Sequence, residues 1–332
     1  KMEFSATAGT AGGSLKALFE VRDGDNLENF KGKVTKADSY SLTVENISID
    51  NIKSLNLPDK DGKITVNNIS YSYDSWEAQV DAQGNIKSVT FNLSKDKAIA
   101  DPEKTVAEGY LLNAGSAINA RGIPYYMTQL NEFVRNFSEM FNQIESKGQN
   151  LNGDTPPTFF EAITNTAKVY DFSESEAYSK LPDGQTATIN SSSNTYYRMT
   201  AANFSVNKDV MNDVSLFATS TDYVKTDSCD IVDELKKLQS EKTVYRGDKA
   251  ESFLETIISN VSVDTEKAET YNKLYSNLEQ TIANQRTSVS GVDEDEEALN
   301  LVKFQHSYNM ASKIISVMNQ MLDKLINDTG VA

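Results

Sequence analysis

The chain has 332 residues, with 32 Lys and Arg against 48 Asp and Glu, so its formal charge is −16. Nucleic-acid-binding surfaces need clustered basic side chains, and an anionic membrane repels an acidic chain, so this balance argues against both kinds of partner. A single Cys (Cys229) excludes an intramolecular disulfide, and a single His (His306) excludes metal sites built from several histidines.

The N-terminal part predicts one short helix followed by a β-rich domain. Ser14 follows two glycines and is a suitable N-cap for an amphipathic helix that ends near Arg22. Alternating apolar residues then predict strands across residues 27–118. Within them, the Gly-containing turn at residues 81–85 predicts a β-hairpin. We therefore expect residues 27–118 to form a small β-rich domain.

A long helix is predicted to begin at Ile123 and Pro124, because proline is tolerated in the first helical turn. Apolar residues recur along it at alternating spacings of four and three, which predicts packing against another helix. These residues are Tyr126, Leu130, Phe133, Phe137, Met140 and Ile144. Residues 1–26 and 119–170 are expected to form one part of a helical domain.

The middle of the chain carries weaker patterns. Two prolines precede residues 159–165, which we expect to form a short helix. Residues 171–228 are expected to consist of short strands and loops, with strands at residues 196–206 and 214–219.

Residues 229–332 are predicted to form long helices that complete the helical domain and end in a terminal axial helix. Five consecutive acidic residues, 293–297, suit the positive end of a helix dipole. Beyond them a heptad seam predicts a helix of roughly 50 Å whose apolar stripe needs a partner helix or neighbouring subunits. The seam residues, which are the candidate assembly residues, are Leu301, Phe304, Tyr308, Ala311, Ile315, Met318, Leu322 and Leu325.

The sequence offers few residues for chemistry. His306 lies off the apolar seam, as a solvated helix residue would. Residues 59–62 (Asp-Lys-Asp-Gly) lack the full spacing of a calcium loop and are expected to form a tight turn. No phosphate loop and no nucleophile motif is present. We therefore expect no enzyme, no cofactor, no metal and no catalytic residue.

The C-terminal sequence resembles the ends of bacterial flagellar axial proteins. The matching residues are Ser290-Gly291-Val292, the acidic run that follows, Asn300-Leu301, Gln305, Tyr308, Ala311-Ser312-Lys313-Ile314-Ile315 and Met321-Leu322-Asp323. A second motif, Gly12-Gly13-Ser14-Leu15 with Arg22-Asp23 further on, resembles the flagellar hook-associated protein 1 family. The resemblance covers about residues 9–26 and 119–328, so residues 27–118 are an insertion between two helices that are adjacent in that family.

The residue patterns predict an α+β fold, a coiled-coil-like bundle of long helices with an inserted β-rich domain and a second short-strand segment. The resemblance implies a structural subunit at the hook–filament junction, outside the cell, exported by the flagellar type III pathway without a cleaved signal peptide. Its implied partners are neighbouring copies, the hook protein, the adjacent filament-side hook-associated protein and an export chaperone at the C-terminal helix. The family's N-terminal helices would then lie upstream of Lys1.

Two alternatives stay open. Rod and hook subunits share the C-terminal motif, so the chain is alternatively a hook or rod axial subunit. The insertion is alternatively a surface-displayed binding or enzymatic module, which Trp76 and the tyrosines at positions 71 and 73 suggest. An ordinary β-sheet core also explains those aromatic residues.

Overall fold

The computed structural model divides the chain into two compact units, residues 1–259 and residues 260–332. It describes residues 12–95, 98–99, 102, 106, 108–175, 177–224, 228–240, 243–245 and 248–328.

The first unit combines helices and short strands. Its first part contains α1 (Ser14–Asp23), β1 (Phe30–Asp38), β2 (Ser41–Glu45), β3 (Gly62–Val66), β4 (Ile69–Val80), β5 (Ile86–Leu93) and β6 (Leu111–Ala114). Then follow α2 (Ile123–Glu145), β7 (Phe160–Ala162), β8 (Ala187–Asn190), β9 (Phe204–Val206), α3 (Lys208–Asn212), α4 (Asp230–Ser240), β10 (Thr243–Tyr245) and β11 (Asp248–Lys249). Helix α5 (Ala250–Ser290) begins in this unit and continues into the second, which also contains α6 (Glu294–Asn327). Long helices together with a β-rich region confirm the predicted α+β class.

Strands β1–β6 form an antiparallel sheet that closes on itself. The strand order is β3-β6-β1-β2-β5-β4, and β3 pairs again with β4. Alternate side chains along each strand point inward, so the closed sheet encloses an apolar core. Its fully buried large side chains are Leu42, Leu55, Ile64, Tyr73, Trp76, Phe91 and Leu112. Strand β8, which lies outside residues 27–118, pairs antiparallel with the edge of β4 that faces away from β5.

The predicted hairpin is confirmed between β4 and β5. In its turn the Asp81 carboxylate accepts hydrogen bonds from the backbone N–H groups of Gln83 and Asn85, and Gly84 adopts a φ of 78°. The bond from Lys87, followed by these turn bonds, holds the pKa of Asp81 well below its usual range. The turn is therefore stabilised by its own side chains, as the sequence indicated.

The segment that leads into the closed sheet, residues 24–26, and the segment that leads out of it, residues 120–122, are hydrogen-bonded to each other through their backbones. Gly122 donates its N–H to Gly24 O at 3.0 Å, and Asn26 N–H donates to Ala120 O at 2.9 Å. A Cβ at Gly24 would lie 2.6 Å from Ala120 O, and one at Gly122 would lie 2.4 Å from Glu20 O. Only glycine permits this approach, so residues 24 and 122 bring α1 and the start of α2 together across the intervening sheet.

Helix α2 is buried on an apolar side and on a polar side. Tyr126, Leu130, Phe133 and Phe137 pack against Ala250, Phe253 and Ile257 at the start of α5, which confirms the predicted seam. The other side is polar and nevertheless buried, a feature that the heptad pattern does not predict. Its buried polar residues are Gln129, Asn131, Glu132, Arg135, Asn136, Ser138, Glu139, Asn142 and Glu145.

This buried polar side is joined to the loop between β2 and β3. Arg135 donates from Nη1 to Leu55 O at 2.6 Å and from Nε to Met199 O at 2.9 Å. Its guanidinium also lies 4.4 Å from the centre of the Tyr197 ring. Nearby, Lys53 Nζ approaches the Glu139 carboxylate at 2.8 Å. The polar face of α2 therefore stabilises the fold because each of these contacts satisfies a buried group.

Three local predictions from the sequence are wrong. The predicted helix at residues 159–165 is a strand, since the Asn142 amide bonds both the N–H and the C=O of Phe160 and holds that segment extended. The predicted strand at residues 214–219 begins with a 3₁₀ turn, Val214–Leu216, whose N-cap is Asp213. The predicted strand at residues 196–206 is wrong over most of its length: it begins with a 3₁₀ turn, Tyr196–Arg198, and is confirmed only at β9, Phe204–Val206.

The predicted N-cap of α1 is wrong by one residue. Gly13 occupies the cap position without a side-chain hydrogen bond, and Ser14 is the first helical residue. The helix itself begins and ends as the sequence indicates.

Replacing Arg135 with methionine is expected to lower the free energy of unfolding of the first unit by about 3 kcal/mol, because Leu55 O and Met199 O would be left buried without donors. Urea unfolding followed by the fluorescence of Trp76, the single tryptophan, measures this loss. Arg286→Met, on the exposed surface of α5, is the matched control and should change the midpoint little. Equal midpoints for the two variants would contradict the role given to Arg135.

Candidate assembly surface

Helix α6 carries all the residues that the sequence nominated for assembly. Its N-cap is Asp293, whose carboxylate accepts hydrogen bonds from Asp295 N–H at 3.0 Å and Glu296 N–H at 3.3 Å. Four acidic residues follow in the first turn, where they favour the positive end of the helix dipole. The helix has 34 residues, which corresponds to about 50 Å.

The eight nominated residues form one stripe along α6, which we call the first row. At about 100° of rotation per residue, they fall within an arc of about 120°. No residue of the helix is buried, and the larger members of the row are between 51% and 73% exposed. The first row consists of Leu301, Phe304, Tyr308, Ala311, Ile315, Met318, Leu322 and Leu325. An apolar stripe of this length on a water-exposed surface is typical of an interaction site.

A second apolar row, which our reading of the sequence missed, borders the first. Met310, Ile314, Val317 and Met321 are spaced by four, three and four residues and are 44% to 66% exposed. Each of them precedes a first-row residue by one position, so the second row is rotated by about 100°. The signal was present in the sequence as the same heptad spacing shifted by one residue. Together the two rows make the C-terminal half of α6 apolar over about half of its circumference.

The side of α6 that borders the first row away from the second is mostly uncharged. Gln305, Ser312 and Asn319 occupy it together with one charged residue, Asp323, and all four are exposed. Charged residues at such flanking positions normally fix which helix pairs with which and in what orientation. Because Asp323 lies near the C-terminal end of the row, repulsion between like charges would be confined to that end if the first row faced an identical helix.

The part of α5 within the second unit carries a further exposed apolar stripe. Tyr271, Tyr275, Leu278 and Ile282 are each 49% to 63% exposed, and the two tyrosine rings lie 6.3 Å apart. These residues belong to the heptad seam of that helix. Exposed seams are therefore present on both helices of the second unit.

The residues considered for chemistry belong to different elements of the structure. His306 is exposed on α6, and Cys229 is exposed just before α4. At residues 59–62, Gly62 is required for packing because a Cβ there would lie 2.1 Å from the Tyr73 ring. Among the residues that the structure describes, no group of three or more His, Cys, Asp or Glu side chains is arranged to hold a metal ion.

The aromatic residues that suggested a binding module face the core. Tyr73 and Trp76 are completely buried, and both donate a hydrogen bond to Pro58 O at 3.2 Å. Tyr71 is 5% exposed. They behave as an ordinary β-sheet core would predict.

In the described part of the chain, no helix has the length and apolar character needed to cross a bilayer.

Comparison with known proteins connects these helices to the flagellum. Residues 283–328, which include all of α6, match the family described as "Flagellar basal body rod FlgEFG protein C-terminal". The chain is similar to the flagellar hook-associated protein 1 of Bacillus subtilis (strain 168), with 24% identity over 215 residues. That match covers 63% of this chain and 36% of the relative, so the chain spans about a third of the relative's length. Both findings confirm the resemblance to flagellar hook-associated proteins.

Replacing Asp293 with alanine is expected to unravel the first turn of α6, because the N–H groups of Asp295 and Glu296 lose their acceptor. Hydrogen exchange at those two amides should accelerate about fivefold, which is the effect of a typical N-cap. Asp295→Ala removes a charge from the same turn and leaves the cap in place, so it is the matched control. An equal acceleration in both variants would show that the dipole, and not the cap, holds this end.

Proposed function

We propose that the chain is a structural subunit of the bacterial flagellum that joins hook to filament by packing α6 between neighbouring subunits. The observation that carries the proposal is the exposed, two-row apolar surface of α6, which lies within the residues matching the flagellar rod family model. Similarity to a hook-associated protein supports a structural flagellar subunit. The same similarity is also consistent with a role that involves no catalysis.

The physical argument for assembly is the hydrophobic surface itself. Burying one large apolar side chain stabilises an interface by about 1.5–3 kcal/mol, whereas association costs about 4–15 kcal/mol. The first row alone offers seven large apolar side chains, enough to exceed that cost when they are covered. A helix without tertiary contacts is also only marginally stable in water, so assembly would stabilise α6 itself.

The two rows support contact with two helices at once. Because they are rotated by about 100°, one partner helix cannot cover both at its usual distance of 8–10 Å. A ring or tube, in which each helix touches a neighbour on either side, would cover both rows. We therefore propose neighbouring copies as the first partners. The hook protein and the adjacent filament-side hook-associated protein would meet the two ends of the ring.

The location follows from this role. We propose that the protein lies outside the cell, at the hook–filament junction, and reaches it through the flagellar type III pathway without a cleaved signal peptide. Before assembly the apolar rows of α6 must be shielded from water. A dedicated export chaperone that binds this helix would provide it.

The other parts of the chain have proposed roles too. Residues 27–118 are proposed to be an inserted β-rich domain, supported by the crossing of residues 24–26 with residues 120–122. Residues 1–26 and 119–170 are proposed to form a helical domain, which residues 229–332 complete. Residues 171–228 are the proposed segment of short strands and loops, and β8 links it to the closed sheet.

A hook or rod axial subunit is the second candidate, favoured by the rod description of the family that matches residues 283–328. Deletion of the gene in the source bacterium distinguishes the two. Complete hooks without filaments, together with flagellin lost to the medium, are expected for a junction protein. Missing hooks would assign it to the hook or rod, and intact motile filaments would overturn both proposals.

Replacing Ile315 and Leu322 of the first row with aspartate is expected to abolish filament attachment, because two buried charges would enter each interface. The complementing protein should still be produced, and electron microscopy of the deletion strain should show hooks without filaments.

The matched control is Asn309→Asp with Ser316→Asp, which adds the same two charges at the same spacing on the polar face of α6. Normal filaments are expected from this control. Ile314→Asp with Met321→Asp tests the second row in the same way, and normal filaments in that variant would restrict the interface to the first row. Normal filaments in the first-row variant would contradict the assembly role of α6.

A further inference from the structure

The last residue of α2, Glu145, is a carboxylic acid enclosed in an apolar joint. Its exposed fraction is 1%. Among the described residues neither of its carboxyl oxygens has a hydrogen-bond partner of ordinary geometry. The preceding residue, Ile144, forms a buried cluster with Ile231 and Leu238 of α4. A carboxyl group in such a place is stable when neutral and unfavourable when charged.

Two other segments close over the end of α2. The turn at residues 146–149 is attached to residues 218–221 by a hydrogen bond from Gln149 N–H to Ser220 O at 2.9 Å. Residues 218–221 are attached to α4 through Asp230, whose carboxylate accepts from Thr221 N–H at 3.2 Å and from its hydroxyl at 2.7 Å. We call this arrangement the α2–α4 joint.

The α2–α4 joint is packed without spare room. A Cβ at Gly148 would lie 2.6 Å from the Cβ of Ala218 and 3.0 Å from Cγ1 of Ile231. Both neighbours are essentially inaccessible to solvent. Water therefore cannot solvate a charge on Glu145 unless these segments move apart.

Three ionisable groups on the surrounding segments, Lys147, Glu234 and Asp230, are engaged with other partners. Lys147 lies 3.4 Å from the Glu234 carboxylate, and Asp230 accepts bonds from Thr221 and Ser228. The remaining charged groups on these elements are Asp222, Asp233, Lys236 and Lys237. Among the described residues, no ion pair connects any of them to Glu145.

We propose that Glu145 is a pH-sensitive latch of the α2–α4 joint. Its neutral carboxyl group allows residues 146–149, residues 218–221 and α4 to close over the end of α2. Its carboxylate favours the open arrangement, in which water reaches the charge. The latch concerns the internal conformation of the first unit and is independent of the proposed assembly through α6.

The sign of the pH dependence follows from burial. Burial raises the pKa of Glu145 from 4.5 to about 7, and this effect is larger than the lowering of that pKa by the backbone N–H of Ala218. The open joint releases the proton near pH 4.5 and the closed joint near pH 7, so opening is coupled to proton release. The closed joint is therefore most stable below pH 4.5, loses stability as the pH rises to 7, and changes little above that. Between pH 5 and pH 7 the opening constant should rise about tenfold per pH unit.

Hydrogen exchange of the full chain between pH 5 and pH 8 tests the latch at the amides of Gln149 and Thr221. Protection factors, which remove the intrinsic pH dependence of exchange, should fall about tenfold per unit between pH 5 and pH 7 in the wild type. In Glu145→Gln, a neutral side chain of the same shape, they should stay constant and exceed the wild-type values at pH 7. The titration of Asp230 does not interfere with this measurement. Its hydrogen bonds from Thr221 and Ser228 hold the pKa of Asp230 well below the range of pH 5 to pH 8.

Glu255→Gln, an exposed glutamate of α5, is the matched control and should keep the wild-type pH dependence. The carboxyl ¹³C titration of Glu145 in the wild-type chain tests the latch without any variant, and a midpoint near pH 7 is expected. A midpoint near pH 4.5, or protection in Glu145→Gln that falls with pH as in the wild type, would overturn the proposal.

Discussion

The fold of the first unit depends on the buried polar face of α2. Arg135, Glu132 and Glu139 are each at most 5% exposed. A buried charge of this kind is strongly destabilising unless it is paired or hydrogen-bonded. The partners come from residues 53–55, where Lys53 pairs with Glu139, the Ser54 hydroxyl donates to Glu132, and Leu55 O accepts from Arg135. The loop between β2 and β3 therefore has one permitted position on the helix.

This constraint explains how the closed sheet, whose strands β1–β6 lie between α1 and α2 in the chain, is held in place. At one end, the glycines at positions 24 and 122 bring the two flanking helices into backbone contact. At the other end, the polar face of α2 holds the loop that closes the sheet. Tyr197 adds a third attachment, since its hydroxyl donates to Leu57 O and accepts from Leu57 N–H. Contacts at both ends make the closed sheet a fixed part of the first unit.

The sequence predicted the features that depend on periodicity and failed where tertiary contacts override local preference. The heptad seam of α2, the β4–β5 hairpin and the acidic start of α6 were all readable, because each depends on spacing or on neighbouring residues. The polar face of α2 was not readable, because charged residues on an amphipathic helix normally face water. The strand at residues 160–162 was also hidden, since the Asn142 amide that holds it extended is 18 residues away.

The candidate assembly residues could be named from the sequence for the same reason, but their surface was underestimated. A single heptad seam suggests one partner, and the first row is the stronger of the two seams in the sequence. The second row has four residues, and its members Met310 and Met321 are flexible side chains that weaken the apparent pattern. Sequence periodicity shows that a helix is amphipathic, whereas the number of partners depends on the width of its apolar arc.

The two units use polar residues in opposite ways. In the first unit the buried groups Glu132, Arg135 and Glu139 fix one arrangement, because each has a partner whose position the fold determines. In α6 the exposed polar side chains beside the first row include a single charge, Asp323, and therefore restrict the choice of partner little. A surface of that kind provides affinity through its apolar area and leaves orientation to the geometry of the assembly.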